Sequence, residues 1–143
     1  MKVISLAWLL LLVALFSCKK DKEETPDRRA LLTARAWRLD QALLSGVPVT
    51  DPQLLSAIGS FNQSRLQFNS DGTFTSTNTA TNTVSRGTWQ FSNGEQGLKV
   101  TIDNQNYDFT IKALTAGQLI LTTPFTIPPI PTPLEAELRL VPA

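Results

Sequence analysis

The sequence predicts an all-β protein: an antiparallel, up-and-down barrel of eight strands with one or two short helices. Apolar and polar residues alternate through most of the chain, which is the period of strands that bury one face. The strands follow one another through short turns, so sequence neighbours are expected to pair. Such a meander favours a closed barrel over a sandwich, which needs crossing connections. The polar outer faces argue against a membrane-spanning barrel.

Residues 1–17 predict a signal peptide that is not part of the fold. A positive start at Lys2 precedes an apolar run from Val3 to Phe16, which is short for a membrane-spanning helix. The run ends in Leu-Phe-Ser-Cys, which resembles a bacterial lipobox, although Phe16 is unusual at its position. An ordinary secretory signal followed by a chance cysteine is the alternative interpretation.

The lipobox resemblance implies that Cys18 is the lipidation site and the first residue of the mature chain. Two or three acyl chains of the palmitate type make stable membrane anchoring the expectation. Residues 18–26 then predict a charged, flexible tether, because no apolar residue follows the cysteine before Pro26. The lysine and acidic residues of this segment loosely resemble a surface-export signal of Bacteroidota lipoproteins, with a plain solvated spacer as the alternative. The protein is therefore expected in the outer membrane, facing either the periplasm or the cell surface.

Residues 27–143 predict one barrel domain, which begins with a short helix. Asp27 can cap this helix over residues 28–35. In the first strand, one face is predicted to carry Trp37, Leu39, Gln41 and Leu43. Residues 51–59 have an N-cap, a proline in the first turn and a final glycine, and so predict a second short helix.

The remaining strands are predicted at residues 65–69, 73–77, 86–91, 98–103, 107–112, 118–122 and 134–141. Gly72 suits the hairpin turn between the first two of these, because glycine takes positive φ without cost. Residues 124–133 hold five prolines in ten positions, which predicts an extended, polyproline-like loop before the last strand.

The order and spacing of these elements resemble the small lipocalin-like lipoproteins of Bacteroidota. The segments that carry the resemblance, besides the lipobox, are residues 31–39, 66–74, 87–89, 107–111 and 119–121. The chain departs from the usual Gly-x-Trp start, with Arg35 in place of the glycine, and in its proline-rich loop. The resemblance implies a lipocalin-like barrel and, by analogy only, a small apolar ligand held inside it.

Aromatic side chains on the inward faces form a candidate ligand cavity made of Phe74, Trp89, Phe91, Tyr107 and Phe109. A packed core is the alternative for these residues, and Trp37 is expected to plug the barrel base. An interior of a few hundred Å³ would favour ligand binding, whereas a solid core would argue against it.

The proline-rich loop offers a second candidate surface, formed by Phe125, Ile127 and Ile130. These apolar residues on an extended segment suit a partner-docking strip or a lid. The alternative function is therefore a structural or protein-interaction lipoprotein with a filled barrel, and a rigid connector is the simplest role of the loop. The oligomeric state stays open.

The composition argues against several other functions. The chain has no histidine, which excludes histidine bases, Ser-His-Asp triads and histidine-ligated zinc. A single cysteine permits no internal disulfide, and a net charge of +1 does not favour nucleic-acid binding. Asp103 and Asp108 flank one turn, but both are expected to point outward into solvent. We therefore expect no enzyme activity, no cofactor and no metal site.

Overall fold

The structure is a computed structural model that describes residues 27–58 and 61–143. The signal segment, Cys18 and most of the tether lie outside the described residues. Within the described part, the chain forms two helices, α1 (Arg28–Thr33) and α2 (Pro52–Ile58). Its strands are β1 (Trp37–Leu44), β2 (Val47–Pro48), β3 (Ser64–Phe68), β4 (Thr73–Asn78), β5 (Val84–Ser92), β6 (Gly97–Ile102), β7 (Gln105–Leu114), β8 (Leu119–Phe125) and β9 (Leu134–Pro142).

The strands form one antiparallel sheet that closes on itself. Strands β3 to β9 pair in sequence order, and β9 returns to pair with β1 from Trp37↔Pro142 to Leu44↔Ala136. The predicted eight-stranded barrel is therefore confirmed, with β2 as an additional strand that the sequence pattern did not predict. β2 is only two residues long, too short to show a period.

The barrel closes through one weak seam. β1 pairs with β3 only at Trp37↔Leu66 and Arg38↔Arg65, and further along β1 the same edge pairs with β2. The two barrel strands thus diverge just above the pair of arginines. This leaves a cleft between them.

A β-bulge in β1 changes which residues face the core. The register with β9 shifts between Leu39 and Gln41, so the alternation restarts one residue later. Leu39, Ala42 and Leu44 pack with the core cluster, whereas Gln41 accepts a hydrogen bond from Arg139 on the outer face. The prediction that Gln41 and Leu43 share the face of Trp37 is therefore wrong, because one extra residue moves each later side chain to the opposite face.

Helix α1 closes one end of the barrel, which we call the base. Asp27 caps the helix by accepting a hydrogen bond from the Arg29 amide at 3.0 Å. Leu32 is fully buried, and its carbonyl accepts the indole N–H of Trp37 at 3.0 Å. Trp37 is itself fully buried, so it plugs the base as the sequence predicted.

The opposite end, which we call the open end, carries α2 and the proline-rich connection. Leu54 and Leu55 of α2 pack against the core cluster. β8 continues through Pro124 and Phe125, which pair with Glu135 and Leu134, so the loop begins two residues later than predicted. Among the described residues, no helix is long and apolar enough to cross a membrane.

Candidate functional site

The barrel interior is apolar and almost full. The void within it measures about 10 Å³, which is roughly the space of one water molecule. Its walls are entirely apolar and are formed by Phe61, Leu66, Phe68, Phe74, Val100, Phe109, Leu121, Leu138 and Leu140. This void, as the described residues line it, is far smaller than the few hundred Å³ that would favour ligand binding.

Phe61 covers this interior from the open end. It lies between α2 and β3, outside every strand, yet only 7% of it is exposed. Its ring meets Tyr107 and Phe109 edge-on, with centroid separations of 6.0 and 6.2 Å. Of the described residues that line the void, only Phe61 lies outside the strands. We call the void together with Phe61 the chamber.

A polar recess lies beside the chamber, within the same mouth of the barrel. Cross-strand pairing sets Ser64 opposite Asn78 and Ser76 opposite Ser85, on the face that Phe74 shares deeper in the barrel. These residues line, with Thr81 and Thr83, a recess of about 290 Å³. Its walls carry hydroxyl and amide groups and no charged side chain.

The turn at the rim of this recess is ordered by its own hydrogen bonds. The side-chain oxygen of Asn78 accepts the amides of Ala80 and Thr81 at 2.9 and 3.1 Å. The Thr79 amide and hydroxyl both donate to the carbonyl of Gln63, which ties the turn to the segment that carries Phe61. The recess and the cover of the chamber are therefore mechanically connected.

The five predicted cavity residues divide between the two ends of the barrel. Phe74 and Phe109 line the void, and Tyr107 stacks beside Phe109 with centroids 6.4 Å apart. Trp89 lies toward the base instead, where its indole N–H donates to the Asn69 carbonyl at 2.8 Å.

Near the base, Trp89 packs against Phe91 and makes a cation–π contact with Arg29. The Arg29 guanidinium lies 4.7 Å from the Trp89 ring centroid, and Phe91 meets the same ring edge-on at 5.2 Å. Trp89 and Phe91 thus belong to the packing of the base. The structure does not bring all five aromatic residues into one site.

The proline-rich loop projects from the open end. Ile130 is 44% exposed, whereas Phe125 and Ile127 are half-buried. The amide of Ile130 donates to the Ile127 carbonyl at 2.7 Å, which closes a tight turn. At the foot of the loop, Pro124, Pro133 and Leu134 border a shallow outer groove of about 420 Å³.

Within the described part of the chain, the one buried carboxylate lies on the outer wall and not in the chamber. Glu137 is 8% exposed and accepts hydrogen bonds from Lys112 at 2.8 Å and Arg139 at 2.7 Å. The bond from Lys112, followed by that from Arg139, holds the pKa of Glu137 below its usual range. This ion pair joins β7 to β9 across β8 and has a structural role.

Asp103 and Asp108, which flank the turn between β6 and β7, both point into solvent. Asp108 is exposed and lies 3.8 Å from Lys99 across the β6–β7 pair, and Asp103 is exposed on the turn between these strands. Across the described ranges, no group of three or more acidic, cysteine or histidine residues could hold a metal ion.

Sequence reasoning did not identify Phe61 or the polar recess. Phe61 follows the predicted helix in a segment with no period, so no pattern placed it inside the barrel. Ser76 and Ser85 could have been found, because they occupy inward positions of strands whose other inward residues are Phe74 and Trp89. Small polar residues at such positions signal a break in the apolar core.

Comparisons with known proteins agree with this architecture. The profile of the lipocalin-like domain matches residues 37–121, which is more than half of the chain. No curated protein matches. A crystal structure of a lipocalin-like protein from Bacteroides uniformis superimposes with a TM-score of 0.53 at 10% sequence identity, covering 79% of this chain and 99% of that one. At this identity the likeness concerns the fold alone, while the profile match shows the family: the chain belongs to the lipocalin-like domain family.

Proposed function

We propose that this protein is a lipid-anchored accessory protein of the cell envelope, and that it binds one small, uncharged, mainly apolar ligand at the open end of its barrel. The almost full interior argues against a ligand that binds while Phe61 stays in place, so the proposal rests on the chamber opening at Phe61. Its walls are wholly apolar, and Phe61 is the described lining residue that belongs to no strand. Membership of the lipocalin-like family supports a binding role rather than an enzymatic one.

In this proposal, Phe61 occupies the place that the ligand takes. Swinging the ring outward costs its contacts with Tyr107 and Phe109 but breaks no ladder hydrogen bond, since the ring lies outside the sheet. An apolar group of the ligand then replaces the ring and regains the buried contact. The free energy of binding is the difference between two similar burials, and it therefore favours a ligand group larger or more rigid than a phenyl ring.

The polar recess adds a preference for the other part of the ligand. Hydroxyl groups of Ser76 and Ser85 can exchange hydrogen bonds with an alcohol, ether or carbonyl oxygen. No charged side chain lines the recess, so an ionised group of the ligand would find no partner there. Most of the free-energy cost of removing that group from water would remain uncompensated. An uncharged molecule with an apolar end and one or two oxygen atoms fits both parts of the mouth.

Titration of wild-type and variant domains with neutral lipids of this type tests the proposal. Methyl resonances of Leu66 and Leu121 should shift on binding, and Ser76→Leu, which fills the recess, should weaken binding by about tenfold. Thr75→Leu is the matched control, because Thr75 lies next to Ser76 and faces the opposite side of β4. Shifts confined to the outer wall, or equal effects of the two variants, would contradict binding in the mouth.

The lipid anchor is supported by the sequence alone. The lipobox at Cys18 and the charged segment after it suit an outer-membrane lipoprotein that faces the periplasm or the cell surface. We expect Cys18→Ser to leave the precursor uncleaved and unacylated. Protease treatment of intact cells then distinguishes the two faces, since only a surface-exposed domain is degraded.

The filled interior favours a second candidate, a protein-interaction lipoprotein that docks through the proline-rich loop. The void of about 10 Å³ leaves no room for a ligand while Phe61 stays in place, and Ile130 is an exposed apolar side chain on a turn of fixed shape. If neutral lipids cause no shift and Ile130→Asp releases a protein that otherwise co-purifies, the second candidate replaces the first.

A further inference from the structure

The cleft at the β1–β3 seam brings two arginines together. Arg38 and Arg65 are directly opposite one another in the antiparallel register, so their side chains leave the same face of the sheet about 5 Å apart. Like charges in this position destabilise a strand pair. This repulsion acts at the weakest junction of the barrel, because only two residue pairs join these strands.

The charge of this pair is only partly neutralised. Asp40 lies 3.8 Å from the Arg38 guanidinium, and both side chains are 55% exposed, so this contact is weak. Arg65 forms no ion pair with any residue that the structure describes. Arg65 therefore offers the cleft a guanidinium group that no ion pair among the described residues neutralises.

The cleft itself has the shape and donors of an anion site. It is open to solvent, has a volume of about 440 Å³ and is lined by Arg38, Leu39, Asn62, Gln63, Ser64, Arg65, Thr79 and Ala143. The lining holds two guanidinium groups and two amide side chains; the acidic groups beside it are Asp40, which contacts Arg38, and the terminal carboxylate of Ala143. Such a set of donors is arranged to receive an oxyanion.

We propose that this cleft binds a phosphate group carried by a small organic molecule. In general, a single guanidinium group can donate to both oxygens of a carboxylate. Two guanidinium groups with neighbouring amides therefore suit phosphate, which has more acceptor oxygens. The volume exceeds that of the bare ion and leaves room for a substituent. A lipid headgroup and a soluble phosphate ester share this chemistry. The argument for this site does not depend on whether a ligand binds in the chamber.

Binding is measured on the full chain in non-ionic detergent micelles at low salt, with inorganic phosphate as the first probe. Phosphate should shift the Nε–H resonances of Arg38 and Arg65 saturably. Arg65→Gln should weaken this binding by about tenfold. Arg86→Gln is the matched control, because Arg86 is exposed on the neighbouring sheet surface and does not line the cleft. Equal loss in both variants, or no saturable shift in the wild-type protein, overturns the proposal.

Stability gives a second, separate readout. Without phosphate, Arg65→Gln should unfold at a higher denaturant concentration than wild type, because it removes the like-charge pair. With phosphate, the wild-type protein should gain stability and the variant should not. A lower unfolding midpoint for the variant in the absence of phosphate would show that Arg65 serves only packing. Micelles doped with an anionic phospholipid and a soluble glycerol phosphate then separate the two sources, since each should compete with inorganic phosphate only if its own phosphate enters the cleft.

Discussion

Replacing Phe61 with alanine tests whether the chamber is a place for a ligand. Burying a phenylalanine side chain contributes about 2 kcal/mol, and two edge-on ring contacts add about 0.5 kcal/mol each. Phe61 is 7% exposed and makes both contacts, so its removal should lower the free energy of unfolding by about 3 kcal/mol. Urea unfolding followed by the fluorescence of Trp37 and Trp89 measures this loss.

The same variant should acquire a binding site for a small apolar molecule. The present void of about 10 Å³ would grow by the volume of the lost ring, toward the roughly 150 Å³ of engineered cavities that bind benzene. Toluene at about a hundred times its dissociation constant should then restore about 2.7 kcal/mol. Phe91→Ala is the control, because Phe91 packs on Trp89 near the base and its loss should create no toluene site.

Two results would refute this reasoning about Phe61. A loss of stability below about 1 kcal/mol would mean that the ring contributes no more than a surface residue. A full loss that toluene does not reverse would mean that the α2 segment collapses into the space. In that case the chamber is part of the core, and the interaction through the proline-rich loop becomes the better proposal.

Three other predictions concern the barrel wall and the anchor. A Cβ at Gly87 would overlap the Thr101 backbone carbonyl, so Gly87→Ala should destabilise the protein by about 3 kcal/mol in urea unfolding, whereas Gly117→Ala, with open space around it, should change stability by less than about 0.5 kcal/mol; equal effects would contradict this. Glu137→Gln should cost about 2 kcal/mol at pH 7. Because the folded pKa of Glu137 is lowered, this difference should be complete above the unfolded value of about 4.3 and vanish as the pH falls through the folded value, and a pH-independent difference would contradict it. Cys18→Ser should abolish acylation of the protein and remove it from the lipid-anchored fraction, and unchanged metabolic labelling with palmitate would disprove the lipobox interpretation.

The barrel could be predicted because strand alternation is a local signal. In β6, Leu98, Val100 and Ile102 all point inward, as simple alternation requires. The bulge in β1 could not be predicted, because an extra residue is a property of the pairing between two strands rather than of one. The additional strand β2 escaped for the same reason, since its two residues are defined only by their partners on β1.

The site was less predictable than the fold because its residues come from different levels of structure. The aromatic residues were recognised as inward-facing, but only the three-dimensional arrangement separates Phe109 at the chamber from Trp89 near the base. Phe61 has no pattern of its own, and its position depends on where α2 leads the chain.

The seam between β1 and β3 shows why pairing matters more than composition in this protein. A net charge of +1 gives no sign of a phosphate site, since it sums the charges of all basic and acidic residues wherever they lie. Only the register that sets Arg38 opposite Arg65 concentrates positive charge at one point. A barrel closed by a two-pair seam tolerates this repulsion because the adjoining cleft lets both side chains reach solvent or an anion. Replacing Arg65 should therefore raise stability and weaken phosphate binding, which the loss of a purely structural arginine would not do.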